Sequence, residues 1–358
     1  MNTGLPRRFA AGRTLLLGAV LALALPGAAY ANTVSVTVKT PGATSGPGSA
    51  NSEISTHADC SAGLVSGGGI NQAIGTGSGV NGNHVNGTAP SSNGTSEYTG
   101  TTGVVGTDVT HWLGIGGSGG QVNASFSTTP YAMCLTSNLI NHTQVVMNKA
   151  NTPTTGATVG LVVATCPAST RLLGGGARTT PGNTGSYKTI ASFPTFNNAA
   201  HDYGQKAAAN GETNPDSWAA VGWDGNNNSA NYTYAYAICS GSGIGVSGAT
   251  VTVRHSEVSG PTTGSTGQTA TVGCGQGDGK LISGGAAISG GSVTTTDFTG
   301  PGSGGDHLNG SFPSTSGGAA VGDGTTTAAY WTASAHTGGQ SSPGTHTDVW
   351  ALCADDGV

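Results

Sequence analysis

Residues 166–177 read CPASTRLLGGGA. A cysteine and a turn lead into a short aliphatic run, and Gly174, Gly175 and Gly176 follow in succession. A glycine-rich loop behind an apolar run cradles phosphate when a helix follows it and a Lys is at hand. The next residues, RTTPGNTGS (178–186), hold no Lys and no helical pattern. The other use of such a cluster is mechanical. A strand without Cβ atoms lets a large ring or a second layer come close, or lets the strand bend. The same cluster recurs as GLVSGGGI (63–70) and KLISGGA (280–286). The expectation is therefore close approach to a tryptophan or to a neighbouring sheet, with no ligand involved.

Working outward from the glycines, a whole unit recurs three times. Each copy opens with an alternating stretch: TVSVTVKT (33–40), HTQVVMNK (142–149) and GATVTVRH (248–255). A second run ends in cysteine: EISTHADC (53–60), VGLVVATC (159–166) and GQTATVGC (267–274). After the glycines comes a small-residue and proline element: NGTAPSS (86–92), ASFPTFN (191–197) and NGSFPST (309–315). Trp112, Trp218 and Trp331 follow, and each copy closes on aromatic-Ala-x-Cys, at Tyr131 to Cys134, Tyr236 to Cys239 and Trp350 to Cys353. The tryptophan precedes the closing aromatic by 19, 18 and 19 residues. Alternation, β-branched residues and Gly/Asn/Ser/Thr breakers predict an all-β fold. It consists of three tandem antiparallel units of about 105 residues. Each unit reads as a sandwich or Greek-key sheet domain, or as part of a β-prism. Short linkers favour packing around a pseudo-threefold axis. The unit boundaries are 32–136, 137–241 and 242–358, after a leader at 1–31.

Six cysteines allow fifteen pairings. Repeat symmetry selects Cys60–Cys134, Cys166–Cys239 and Cys274–Cys353. Bridges of this kind belong to an oxidising compartment. The leader agrees: Arg7, Arg8 and Arg13 precede an apolar run over 15–25, and Ala29-Tyr30-Ala31 is a small-x-small cleavage box. No later stretch has the roughly 18 apolar residues of a membrane helix. The expected product is secreted and extracellular, without membrane insertion.

The 358-residue chain carries 11 basic and 16 acidic residues. Removing the three arginines of the leader leaves 8 basic residues and a net charge of −8. Such a surface neutralises few phosphates, which excludes nucleic acid as a partner.

Isolated catalytic patterns lack their context. Gly116-Gly117-Ser118-Gly119-Gly120 has the letters of a nucleophile elbow, and 77–82 fits a dinucleotide loop, but no helix follows either. His57 and Asp59 sit two apart on one strand face and read as a surface pair. No Asp, Glu or His is expected to recur in register. The nine histidines show no zinc spacing. Asp224 opens a stretch, DGNNN, resembling the start of a Ca²⁺ loop but lacking its glycine and closing Glu. Ca²⁺ at such Asp-rich loops, with Asp278, Asp306 and Asp323 beside glycines, is the one cofactor left open. Tyr203, Trp223, Asp224 and Asn226 form the candidate ligand-binding set, because loop aromatics beside Asn and Asp suit stacking on sugars.

The pattern Cys166-Pro167, Gly174 to Ala177, Ser192-Phe193-Pro194, Trp218 and Tyr236 to Cys239 resembles a disulfide-closed domain of secreted actinobacterial proteins, some of which carry collagen-like stalks. Units one and three depart from it: Ser61 and Gly275 replace the proline, and Ile70 replaces the alanine. The resemblance implies a β-rich extracellular module without known catalysis. In layout the chain is also similar to the threefold β-prism of egg vitelline-layer proteins. The function expected is that of a non-enzymatic matrix or cell-surface protein acting by self-assembly or adhesion. The alternative is a lectin-like module binding extracellular polysaccharide, and the third reading is a secreted hydrolase with an unrecognised site.

Overall fold

A computed structural model describes residues 1, 4, 34–73, 81–120, 126–151, 158–180, 187–224, 232–241 and 249–355. Residues 1–33, Met1 and Gly4 aside, lie outside the described residues. Among those described, no helix is long and apolar enough to cross a membrane.

Unit one supplies β1 (Ser35–Lys39), β2 (Thr44–Ser45), β3 (Glu53–Asp59), β4 (Leu64–Ala73), β5 (Asn83–Ser91), β6 (Gly103–Thr107), β7 (His111–Ser118) and β8 (Ser127–Thr136). Unit two supplies β9 (Thr143–Asn151), β10 (Thr158–Thr165), β11 (Leu172–Thr180), β12 (Tyr187–Thr195), β13 (Ser217–Asp224) and β14 (Tyr232–Ser240). Unit three supplies β15 (Thr250–Ser259), β16 (Gly267–Gly273), β17 (Lys280–Ser289), β18 (His307–Ser314), β19 (Tyr330–His336) and β20 (His346–Asp355).

These strands form three antiparallel sheets, and no unit closes a sheet of its own. The first sheet runs β1-β8-β4-β18-β19-β16, joining units one and three, with β2 also on β8. The second runs β9-β14-β11-β5-β7-β3, joining units two and one, with β6 outside β9. The third runs β15-β20-β17-β12-β13-β10, joining units three and two. In every sheet the glycine strand of one unit pairs with the proline strand of another: Ser311 with Ile70, Arg178 with Gly87, and Ala191 with Ala287. The all-β antiparallel fold is as expected, and of the arrangements expected for the units the shared sheets fit the β-prism, here over 34–355. The reason is steric. The glycine strands β4, β11 and β17 touch one another pairwise, and so do the proline strands β5, β12 and β18. Where the glycine strands meet, that closeness needs positions nearly free of side-chain bulk.

Each glycine in the cluster has its own neighbour. A Cβ on Gly68, Gly175 or Gly284 would strike the ring of Trp112, Trp218 or Trp331, all fully buried. A Cβ on Gly69, Gly176 or Gly285 would strike the carbonyl oxygen of Ser311, Thr88 or Ser192 on the adjoining proline strand. Both expected uses of the glycines, approach to the tryptophan and approach to a neighbouring strand, are present together.

The corners are closed covalently and by pairing. Cys60–Cys134 joins the second sheet to the first, Cys166–Cys239 the third to the second, and Cys274–Cys353 the first to the third. Each opening strand is covered by a segment of the preceding unit. β6 pairs with β9, Gly211 N–H donates to Val253 O (2.8 Å), and Gly324 N–H donates to Val38 O (2.9 Å). These contacts cover one edge of each sheet, while β16, β3 and β10 stand at the other.

Candidate functional site

The three proline strands carry the same irregularity. A bulge falls between Val85 and Gly87, between Thr189 and Ala191, and between Leu308 and Gly310. Aligned on it, His84, Lys188 and His307 occupy one position of the three units. They pair across the ladder with Gly117, Trp223 and His336. All three are buried, at 3%, 5% and 2% exposure. The expectation that no histidine recurs in register is thus corrected. HVNGTAPS (84–91) and HLNGSFPS (307–314) align without a gap and share His, Asn, Gly, Pro and Ser, with each histidine two residues before the small-residue and proline element. Lys188 conceals the third copy.

The three side chains converge at one end of the axis. The His84 and His307 rings are 6.3 Å apart in an edge-on arrangement, and His307 and His336 are 5.6 Å apart. His84 Nδ1 hydrogen-bonds Gly82 O (2.9 Å), His307 Nδ1 bonds Gly305 O (2.7 Å), and His336 Nδ1 bonds Thr337 O (2.5 Å). A carbonyl accepts only, so each Nδ1 carries the proton and Nε2 of the neutral ring is an acceptor. Asn86 lies within hydrogen-bonding reach of His84, and among the described residues His307 Nε2 has no partner. The Lys188 ammonium donates to Gly304 O at 2.8 Å. Asn309 Nδ2 donates to Asn83 O at 2.7 Å, tying two units together.

Burial sets the charge states. It lowers His84 to about 4, helped by the positive charge of Lys188. It lowers His307 well below the ordinary imidazole range, again with Lys188 second. Lys188 itself falls to about 8 through burial, opposed by the carboxylate of Asp306. Burial raises Asp306, against hydrogen bonds from Ser342 and Thr345 and the pull of Lys188.

Beyond this cluster the axis is narrow. A cavity of about 10 Å³ is lined by four threefold sets, among them Gly68, Gly175 and Gly284, and Val85, Thr189 and Leu308. That is room for about one water and no substrate.

The residues singled out from sequence are dispersed. Tyr203 stands 63% exposed in a 3-10 turn over Ala199–Gly204. Trp223 is only 4% exposed, its ring under Gly300 and beside Gly304, so it offers no face for stacking. The two lie at opposite ends of the β12–β13 ladder. Tyr203 belongs to the connection leaving Thr195, and Trp223 pairs with Lys188. Asp224 ends β13 opposite Tyr187, and Asn226 lies outside the described residues. The six cysteines form the three expected bridges.

Asp278 is held by Arg254 and Gly275 N–H, Asp306 by Ser342 and Thr345, and Asp323 by Lys39 and Thr40 N–H. No group of three His, Cys, Asp or Glu among the described residues is placed to hold a metal ion. Ser118 of the elbow-like motif donates to Ser49 O (2.6 Å) inside β7. Asp59 is shared: His57 Nε2 lies 3.5 Å and His111 Nδ1 2.5 Å from its carboxylate, and His111 was invisible to a reading of THADC alone.

A groove of about 450 Å³ lies on unit three between Ser314, Ser316, Val321, Thr325, Thr327 and Tyr330. Its lining holds no charged side chain, and Tyr330 is 36% exposed. No family model matches the chain, and neither does any curated protein.

Proposed function

We propose that the chain is a secreted, non-enzymatic protein of the cell surface or extracellular matrix that acts by assembly or adhesion. The observation carrying this reading is the placement of the three disulfides, one between each pair of sheets. A chain poor in large aliphatics gains from such bridges a shape that persists in an oxidising medium. The similarity of its cysteine, glycine and tryptophan pattern to secreted actinobacterial domains supports the same reading. The test is light scattering and negative-stain microscopy on the non-reduced chain lacking 1–31, with pull-down on insoluble cell-wall polysaccharide. Regular assemblies or retention on the polymer are expected. A monomer that binds no polymer in either assay removes the reading.

A second reading, carbohydrate binding, is favoured by the groove at Tyr330. Hydroxyls and one exposed ring, without charge, suit a neutral sugar: the ring stacks on its apolar face and the hydroxyls meet its own. Binding to a neutral glycan, lost at least tenfold in Tyr330→Ala and unchanged in Tyr203→Ala, is the expected result. Equal loss in both, or in neither, removes this groove as the site.

A further inference from the structure

We propose that His84, Lys188 and His307 form an acid-sensitive latch on the prism axis, closed while both imidazoles are neutral and opened by proton uptake, with the corner disulfides holding the sheets together. The inference is independent of the adhesive reading.

The argument is one of geometry and charge balance. The three side chains hold one structural position on three strands that touch pairwise, so whatever charge they carry is concentrated at the axis. The titratable groups facing the imidazoles are Lys188 on β12, His336 on β19 and Asp306 ahead of β18. The ladder partner of His84 on β7 is Gly117, which does not titrate, and the glycine strands β4 and β11 bring Gln72 and Thr179 to this end. One ammonium, Lys188, is matched by one carboxylate, Asp306. A proton on either imidazole adds a buried positive charge beside the ammonium, and among the described residues the next carboxylate, Glu53 on β3, is already held by Arg178 and Asn86. An uncompensated buried charge is among the most destabilising changes a core can suffer.

The sign is definite. Both histidines titrate lower in the fold than when exposed, so the open chain binds more protons between the ordinary value of 6.5 and about 4. Stability is present above 6.5 and is lost as the pH falls through that window. Asp306 and Asp348 are shifted upward by burial and work the opposite way. Asp278 and Asp323 are held low by their ion pairs, so they act only at still lower pH.

The experiment follows near-ultraviolet circular dichroism and hydrodynamic radius from pH 7.5 to 3.5 with the disulfides intact. The wild-type chain is compared with the double variant His84→Gln, His307→Gln. The expected result is a reversible loss of the tryptophan signal between pH 6.5 and 4 with strand content retained. Its midpoint should fall by at least one pH unit in the variant. A midpoint that does not move with the substitutions, or a wild-type signal unchanged to pH 3.5, overturns the latch. Should the variant fail to fold, histidine-ring NMR of the wild-type chain decides. Rings of His84 and His307 that change only with the transition support the proposal. Rings that gain protons near pH 6.5 with the fold intact overturn it.

Discussion

Ser283 stands where a Cβ on either Gly67 or Gly174 would run into its hydroxymethyl group. The three residues hold the same position in the three units, and the axis admits one side chain of that size where the glycine strands meet. Gly67→Ser and Gly174→Ser should each cost about 1–3 kcal/mol by overpacking. Ser283→Gly should be nearly neutral, because the Ser283 hydroxyl is buried without a partner among the described residues. Denaturant unfolding of the three variants checks the asymmetry. A Ser283→Gly loss as large as that of Gly67→Ser would show that the serine is needed for itself.

Arg178 binds unit two to unit one. Its guanidinium makes a two-pronged contact with Glu53, at 2.9 and 3.0 Å, and a third contact with Glu97 at 2.9 Å. Both carboxylates keep some exposure while Arg178 is buried, so the cation is the costly group to orphan. Glu97→Gln should cost about 1 kcal/mol, because Glu53 still balances the charge. Glu53→Gln combined with Glu97→Gln should cost about 3 kcal/mol or more. Chemical denaturation of the single and double variants measures the difference, and a double variant no worse than Glu97→Gln would refute the account.

Removing one corner bridge by Cys166→Ala with Cys239→Ala opens a 73-residue loop. The loop-closure relation puts the loss at about 4 kcal/mol. The corresponding loss for Cys274–Cys353, which spans 79 residues, should be equal within error. Comparing the two unfolding free energies tests whether the corners are equivalent, as the topology requires.

Lys188 makes an alkaline prediction opposite in appearance to the usual one. Its folded value is about 8 against 10.5 when exposed, so between those values the unfolded chain holds the extra proton. Stability therefore rises with pH from about 8. The buried tyrosines Tyr131 and Tyr236, shifted upward by desolvation, reverse the trend above 10. A gain on the order of 2–3 kcal/mol between pH 8 and 10 is expected in the wild-type chain and should vanish in Lys188→Met. Thermal midpoints across that range decide it.

Several features were open to reading before any coordinates. Strand character in VGLVVATC, the pairing of Cys166 with Cys239, and the mechanical role of Gly174 to Gly176 all follow from local alternation, from covalent spacing and from the lack of a Cβ. The stretch HVNGTAPS (84–91) is less legible. Its polar letters and Pro90 suggest a loop, yet β5 is buried along its whole length, because β11 pairs beside it and β12 and β18 cover it. Trp223 went the same way: a polar neighbourhood in sequence placed it at the surface, and residues 300–304 of another unit cover it.

What the sequence by itself determined is therefore the class of structure and the three bridges, since each depends on spacing within about 80 residues. What only the tertiary structure decided is the exchange of strands among units and the convergence of His84, Lys188 and His307. Those depend on contacts such as Ser66 Oγ with Ile282 O (2.6 Å), which join residues 216 positions apart. No local periodicity carries that information. It is set by which strands are bare enough to approach one another, and by the one arrangement of three sheets that buries all of their tryptophans at once.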